Sequence, residues 1–229
     1  MKTFIKTLAL IFILSMPLKS LAQSDCNPYL LLDEGRKWTT ANYNAKDKYR
    51  GKQSYEVLSV SDEDGTITAN VMLTSYDKKD KMVMEKEVEF TCKDGVVEMD
   101  MSKYIPEETM ESFKNMEVEM EFEALTIPEN LEAGQYLEDG GVNISVQGPM
   151  PISMEIKIQD RKVMAKESVE VPAGNYEAWK INSIIKFDAM ITRETKNVEW
   201  IAENVGVVRS EQYDKNGKLN SYTVLTEIN

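Results

Sequence analysis

The chain of 229 residues contains no histidine. Histidine ordinarily titrates nearest neutrality, so its absence removes the commonest general base and the Ser-His-Asp and Cys-His nucleophile arrangements. Any chemistry would fall to carboxylates, tyrosine or lysine. Cysteine is scarce, with Cys26 and Cys92 alone. Two thiolates without an imidazole cannot complete a usual zinc site, and no cofactor is expected. The apolar run Leu8 to Leu14 is far shorter than the roughly 20 residues a helix needs to cross a bilayer. Positive charge is also short, with 27 Lys and Arg against 39 Asp and Glu, a net charge of −12. That balance opposes nucleic acid and anionic membrane surfaces.

The N-terminus has the grammar of an export signal. Lys2 and Lys6 precede the apolar run, Pro17 interrupts it, and "SLAQ" sets Ser20 and Ala22 at small-residue positions before a cut. Cleavage is expected between Ala22 and Gln23, leaving residues 23–229 as one β-rich domain. Loss of the leader's three lysines takes the net charge from −12 to −15. A lipid anchor would need a cysteine directly at the cut, and Cys26 follows "QSD", so lipidation is not expected. An exported protein with an even, low cysteine count usually pairs them. The expectation is a Cys26–Cys92 disulfide, with two buried free thiols as the alternative. The bond would close a loop of about 65 residues and contribute roughly 4 kcal/mol by loop entropy.

Period-two alternation dominates what remains. In "MEVEMEFEA", Met116, Val118, Met120, Phe122 and Ala124 point one way, and Glu117, Glu119, Glu121 and Glu123 the other. "MVMEKEVEF" places Met82, Met84, Val88 and Phe90 together, and "PISMEIKIQ" places Ile152, Met154, Ile156 and Ile158 together. Turn signals separate such runs: "DEDG", "DKKD", "CKDG", "EDGG", "PAGN" and "DKNG". About 11 to 13 strands are expected, in an antiparallel meander of two halves, 23–124 and 141–229, joined by a loop over 125–140. "RKVMAKESVEV" (from 161) and "PISMEIKIQ" read as separate strands. "YIPEETMESFKN" breaks the rhythm and reads as a short helix over 106–114, with Pro106 in the first turn.

Three stretches share one design: "YNAKDK", "YDKKDK" and "YDKNGK". Each tyrosine ends one run, and Asp, Asn and Gly supply turn conformations that other residues resist. They read as three hairpin loops. A calcium reading fails on spacing and on the interleaved lysines.

"VEVPAGNYEAWKI" (169–181) and "VEWIAENVGVVRSEQYDKNGKL" (198–219) carry a family resemblance, through Pro172, Ala173, Gly174 and Tyr176, then Trp200, Val205, Gly206 and Val208. The chain resembles the exported bacterial proteins called TapB-like, or domain of unknown function 3108-like. "CNPYLLLDEGRKW", "CKDGVVEMDM" and "LTIPENLEAGQYLEDG" extend the resemblance over nearly all of the mature chain, and the two cysteines stand where the family's usual pair would. "DKKD" departs where the family commonly has Gly, and Asp also fits such a turn. The resemblance implies a strongly curved antiparallel sheet, a half-barrel similar to lipoprotein carriers, with a short helix on its concave side. A two-sheet sandwich stays open on the residues alone. The family supplies no catalytic residues to carry over.

Glu117 to Glu123 stand about 7 Å apart along one face, a spacing compatible with an acid/base pair, but nothing buries one of them. They read as a solvated face that deters edge pairing. Trp179 and Trp200 read as core anchors. "VPAGN" lacks a phosphate-loop pattern and reads as a tight turn. The resemblance to bacterial proteins makes the sequon at Asn143 idle. Met82, Met84, Met116, Met120, Phe122 and Met154 are the candidates for an apolar groove, since methionine suits varied apolar partners, although core filling explains them too. The functional expectation is a non-catalytic cell-envelope protein, periplasmic or extracellular, that binds a lipid or lipidated peptide in a curved-sheet groove. The alternatives are an assembly module acting through protein contacts and, more remotely, a carboxylate hydrolase.

Overall fold

The computed structural model describes residues 26–30, 32–99, 117–147, 152–189 and 191–229. The expected cleavage site at Ala22 and Gln23, the expected helix over 106–114 and Met116 lie outside them. Among the described residues there is no helix. Thirteen strands form one antiparallel sheet: β1 Lys37–Asn44, β2 Tyr49–Glu63, β3 Thr66–Asp77, β4 Met82–Lys93, β5 Val96–Met99, β6 Glu117–Glu123 and β7 Leu125–Ile127. The remainder are β8 Gly140–Gln147, β9 Ile152–Val171, β10 Gly174–Asp188, β11 Arg193–Ala202, β12 Gly206–Tyr213 and β13 Leu219–Ile228. A sandwich of two separate sheets is thereby excluded.

The strand order is β6-β8-β9-β10-β11-β12-β13-β1-β2-β3-β4-β5-β7. Two meanders are fused where β1 pairs with β13. At their outer edges the halves exchange strands: β6 returns to pair with β8, and the three-residue β7 pairs with β5. Sheet curvature follows from the ladders. Seven of them carry a register shift, between Thr39 and Thr40 on β1, for example, and twice along β9–β10. A bulge bends its strand and raises the local twist, so repetition rolls the sheet. As a result β9 touches β12 and β13, and β7 at one edge approaches β8 beside the other. The sheet is a nearly closed barrel.

β9 runs unbroken for 20 residues, where the sequence suggested two strands. The polar stretch at 159–162 marks a bulge rather than a hairpin: Asp160 takes a left-handed φ of 55°, and the pairing with β10 slips there.

The three tyrosine-led loops are near copies. Asn44, Asp77 and Asp214 each accept, on Oδ1, the N–H groups two and four residues ahead, at 2.8–3.0 Å. Their own N–H groups reach the carbonyls of Lys48, Lys81 and Lys218 at 2.9–3.0 Å. The left-handed position falls to Asp47, Asp80 and Gly217. Aspartate therefore does at 80 what glycine does at 217. Two further signals, at Asp64-Gly65 and Asp94-Gly95, have positive φ at both residues, the conformation of a twist-matched two-residue hairpin.

The face carrying Trp38, Tyr55, Leu73, Val71, Val88 and Phe90 forms the core of the N-terminal half. The N-terminal segment lies across that interior as a tie. Asn27 is buried and donates from Nδ2 to the carbonyls of Gly95 (2.7 Å) and Ile127 (2.8 Å), while Oδ1 accepts the Tyr29 N–H (2.8 Å). One residue on, the Pro28 carbonyl accepts the Asn204 N–H at 2.6 Å. Tyr29 packs with Leu131, Leu137, Val163, Ile181 and Ile201. The tie thus joins the β4–β5 turn and β7 to the β11–β12 turn, and Cys26 anchors it through a disulfide to Cys92.

Two outcomes test this account. Changing Asn44 to Ala should lower the melting midpoint by roughly 2–4 °C, whereas Asn44→Asp should keep most of it, because only the acceptor matters. The backbone N–H groups of Lys79 and Lys81 hold Asp77 below the ordinary carboxylate pKa, and those of Lys218 and Asn216 do the same for Asp214. A depressed pKa contributes stability above the unfolded value and loses it as pH falls through the folded value. The melting midpoint should therefore drop below about pH 4, and less so in an Asp77→Asn, Asp214→Asn variant. Separately, replacing Cys26 and Cys92 by Ser should cost about 4 kcal/mol in urea denaturation.

Candidate functional site

Strands β9, β10 and β11 form the floor of a groove of 590 Å³, bounded at its ends by Tyr136 and by the β12–β13 hairpin at Tyr213 and Gly217. The register shows how it is built. Along β10, Lys180, Asn182 and Ile184 project from one face at intervals of about 7 Å. Asn182 pairs laterally with Lys162 on β9 and Val198 on β11, and Ile184 pairs with Lys196, which pairs in turn with Tyr213. Asn182 therefore stands at the centre of a patch, with lysines on three strands and apolar surface from Ile184, Val198 and Met164. Met164 and Tyr136 are open to solvent, 41% and 68% exposed. Two lysines lie over aromatic rings: Lys162 over Tyr136 at 5.0 Å and Lys180 over Trp200 at 5.0 Å. Lys180 also reaches Glu167 at 3.5 Å. Asp160 is the acid in the lining. The Oδ1 atom of Asn182 is buried and has no hydrogen-bond partner.

The wall at Tyr136 depends on Arg161, the one charged side chain that is buried among the described residues. Its Nη1 donates to the carbonyls of Thr126 (2.9 Å) and Glu138 (2.6 Å), holding β7 and the 131–139 segment against β9. Burial pulls its pKa down, opposed by the nearby carboxylates of Glu199, Asp139 and Glu138. Backbone bonds from Gly134 and Leu137 to Val163 and Arg161 complete the attachment.

The methionines named from the sequence do not line this groove. Met120 and Met154 pack in a small cluster with Val142, Ile144 and Val146, aligned through Ile144, and Phe122 is exposed on the same edge strand. Met84 packs against the N-terminal core, and Met82 is exposed at the start of β4. The structure does not bring the two sets together: Met84 packs on the N-terminal core, and Met120 and Met154 pack in the separate cluster of β6, β8 and β9. Glu119, Glu121 and Glu123 are exposed along β6, an edge strand. The groove itself was hidden in the phases read as polar: Met164 alternates with lysines, and Ile184 duplicates Ile185.

The motif residues of the resemblance have structural work. The β9–β10 tip, Pro172 and Ala173, folds over so that the Ala173 N–H reaches the Leu225 carbonyl (3.3 Å). Tyr176 donates to the Ala173 carbonyl (3.1 Å) and packs in one cluster with Trp200, Val208 and Val224, beside the strand start at Gly174. Trp200 Nε1 donates to Glu167 at 2.5 Å. Gly206, at φ 91°, faces the Tyr29 carbonyl, 3.3 Å from where a Cβ would sit. These positions seat the N-terminal tie and close the second core.

The comparisons agree with this geometry. The model of the DUF3108-like family matches residues 33–225, and the chain belongs to that family. Its structure is similar to that of a protein from Bacteroides fragilis assigned as exported, with a YmcC-like fold. That protein is 25% identical, with TM-score 0.71 over 89% of this chain and 100% of the other. A protein from Parabacteroides distasonis assigned as a lipoprotein is 26% identical, with TM-score 0.72 over 90% of this chain and 100% of the other. No curated protein matches the chain.

Replacing Arg161 by Ala would remove the buried donor that ties the Thr126 and Glu138 carbonyls to β9. The expected cost is about 2–4 kcal/mol in chemical denaturation, with faster amide exchange confined to 131–139 at low denaturant.

Proposed function

We propose that this protein is an exported, non-catalytic binding protein of the cell envelope whose groove over β9–β11 holds one apolar chain, from a lipid or a lipidated peptide. The observation that carries the reading is the groove's make-up: 590 Å³, in the ordinary range for ligand sites, with Met164, Ile184 and Val198 presented between two tyrosines. Export is supported by the leader-like N-terminus, by the disulfide and by the relatives assigned as exported or as a lipoprotein. In this chain Cys26 is spent in the disulfide and has no thiol to acylate. A general acid needs a shielded carboxyl group, and no Asp or Glu stands among the buried polar side chains of the described residues, which weighs against the hydrolase.

One observation favours the assembly module instead. On the other face of the sheet, Tyr29, Leu131 and Leu137 cover Ile181 and Ile201, so this part of the interior is filled by the chain itself. A neutral long-chain monoacylglycerol with a fluorescent tail separates the two readings. It should bind the wild-type protein in the micromolar range, and Ile184→Glu with Val198→Glu should weaken it at least tenfold while leaving the melting midpoint within a few degrees. Absence of binding to the wild type would favour assembly.

A further inference from the structure

We infer that the groove's ligand carries an anionic phosphate head with a free hydroxyl, as a single-chain glycerophospholipid does; this deepens the reading of the groove as a site for an apolar chain and rests on it. The first observation is a reversal of charge. The chain as a whole is at −12, yet the groove lining holds Lys162, Lys180 and Lys196 against Asp160, with Lys180 also paired to Glu167 at 3.5 Å. A cleft lined mainly by one sign focuses potential and concentrates the opposite charge.

The second observation is where those lysines stand. Lys162 is directly across from Asn182, Lys180 is two residues along the same strand, and Lys196 is diagonal on β11. Cross-strand neighbours lie about 5 Å apart and diagonal ones about 7–8 Å, so one head group at Asn182 falls within reach of long side chains from three strands. Lys162 and Lys180 are each held against a ring, of Tyr136 and Trp200 respectively, at 5.0 Å. A phosphate needs cationic donors and tolerates their flexibility, and lysine serves it as a point charge.

The third observation selects the hydroxyl. Asn182 Oδ1 is a buried acceptor without a donor. Leaving it unpaired is costly, and a lysine ammonium bound to phosphate does not relieve it. Once the half-buried Asn182 side chain turns its amide into the groove, a glycerol hydroxyl next to the phosphate supplies the missing proton. The acyl chain then lies along Ile184, Val198 and Met164 towards the tyrosine walls. The assignment is thus one chain, one phosphate and one hydroxyl, each matched to a different set of side chains.

The test uses the full mature chain and three probes of equal acyl length: lysophosphatidylglycerol, the neutral monoacylglycerol, and glycerol phosphate without a chain. The phospholipid should bind about tenfold tighter than the neutral lipid. That advantage should vanish at 0.5 M salt and in a Lys162→Gln, Lys196→Gln variant, while affinity for the neutral lipid stays unchanged. Asn182→Leu should weaken both hydroxyl-bearing lipids several-fold. Equal affinity for charged and neutral lipids would overturn the head-group inference and leave the groove reading standing. Competition by glycerol phosphate as strong as that by the lipid would overturn it as well, since the chain would then contribute nothing. Failure of every acyl probe to bind the wild-type protein would overturn both readings.

Discussion

The fold depends on a single ladder, that between β1 and β13. Residues 38–44 pair with 221–228, so the first and last strands lie side by side. Without that pairing there would be two short meanders, each with raw edges. With it, there is one sheet whose outer strands can curl towards each other. The contact is extremely non-local, and its closure entropy must be met before the ladder stabilises anything. The β11–β12 and β4–β5 turns come within reach of the same N-terminal segment only after the sheet has rolled. The bonds of Asn27 to Gly95 and Ile127, and of Pro28 to Asn204, therefore act as a latch on a shape the bulged ladders already favour.

Curvature also explains the structural work of the family motifs. A rolled sheet has to end its long hairpin somewhere, and the Pro-Ala-Gly tip of β9–β10 ends on β13, through the Leu225 carbonyl. Trp200 fills the space beneath and spends its N–H on Glu167. Gly206 leaves room for the tie to pass. Every one of these residues is specified by a close approach between backbone segments far apart in sequence. Such a site tolerates little substitution for purely geometric reasons.

How much was legible in the sequence follows from the range of each signal. Strands with one buried face, such as β3 and β4, announce themselves by alternation, and the loops at Asn44, Asp77 and Asp214 by a local pattern of side-chain acceptors and left-handed residues. Both depend on neighbours a few positions away. β7 was missed because three residues carry no periodicity, and β9 was split because a bulge at Asp160 looks like a turn when its partners are unseen. The pairing of β6 with β8, and hence the separation of Met82 and Met84 from Met120 and Met154, is a matter of strand order. Alternation assigns a residue to a face and says nothing about which strand comes next.

The groove was the least legible feature, for the same reason in sharper form. Lys162, Lys180 and Lys196 each read as an ordinary solvated position, since a lysine every few residues is what an outer strand face needs to stay soluble and unpaired. Only the register turns three separate surface charges into one patch. Asn182 is more telling. On an exposed strand its amide would be satisfied by water and would mean nothing. Half-buried between Lys162 and Val198, it keeps a buried Oδ1 acceptor without a donor, and native proteins retain few such atoms without a use for them. A hydrophobic residue there would pack the strand more cheaply. That the chain carries an amide instead, in the middle of a lysine-lined concavity, is the physical reason to look for a ligand on this face.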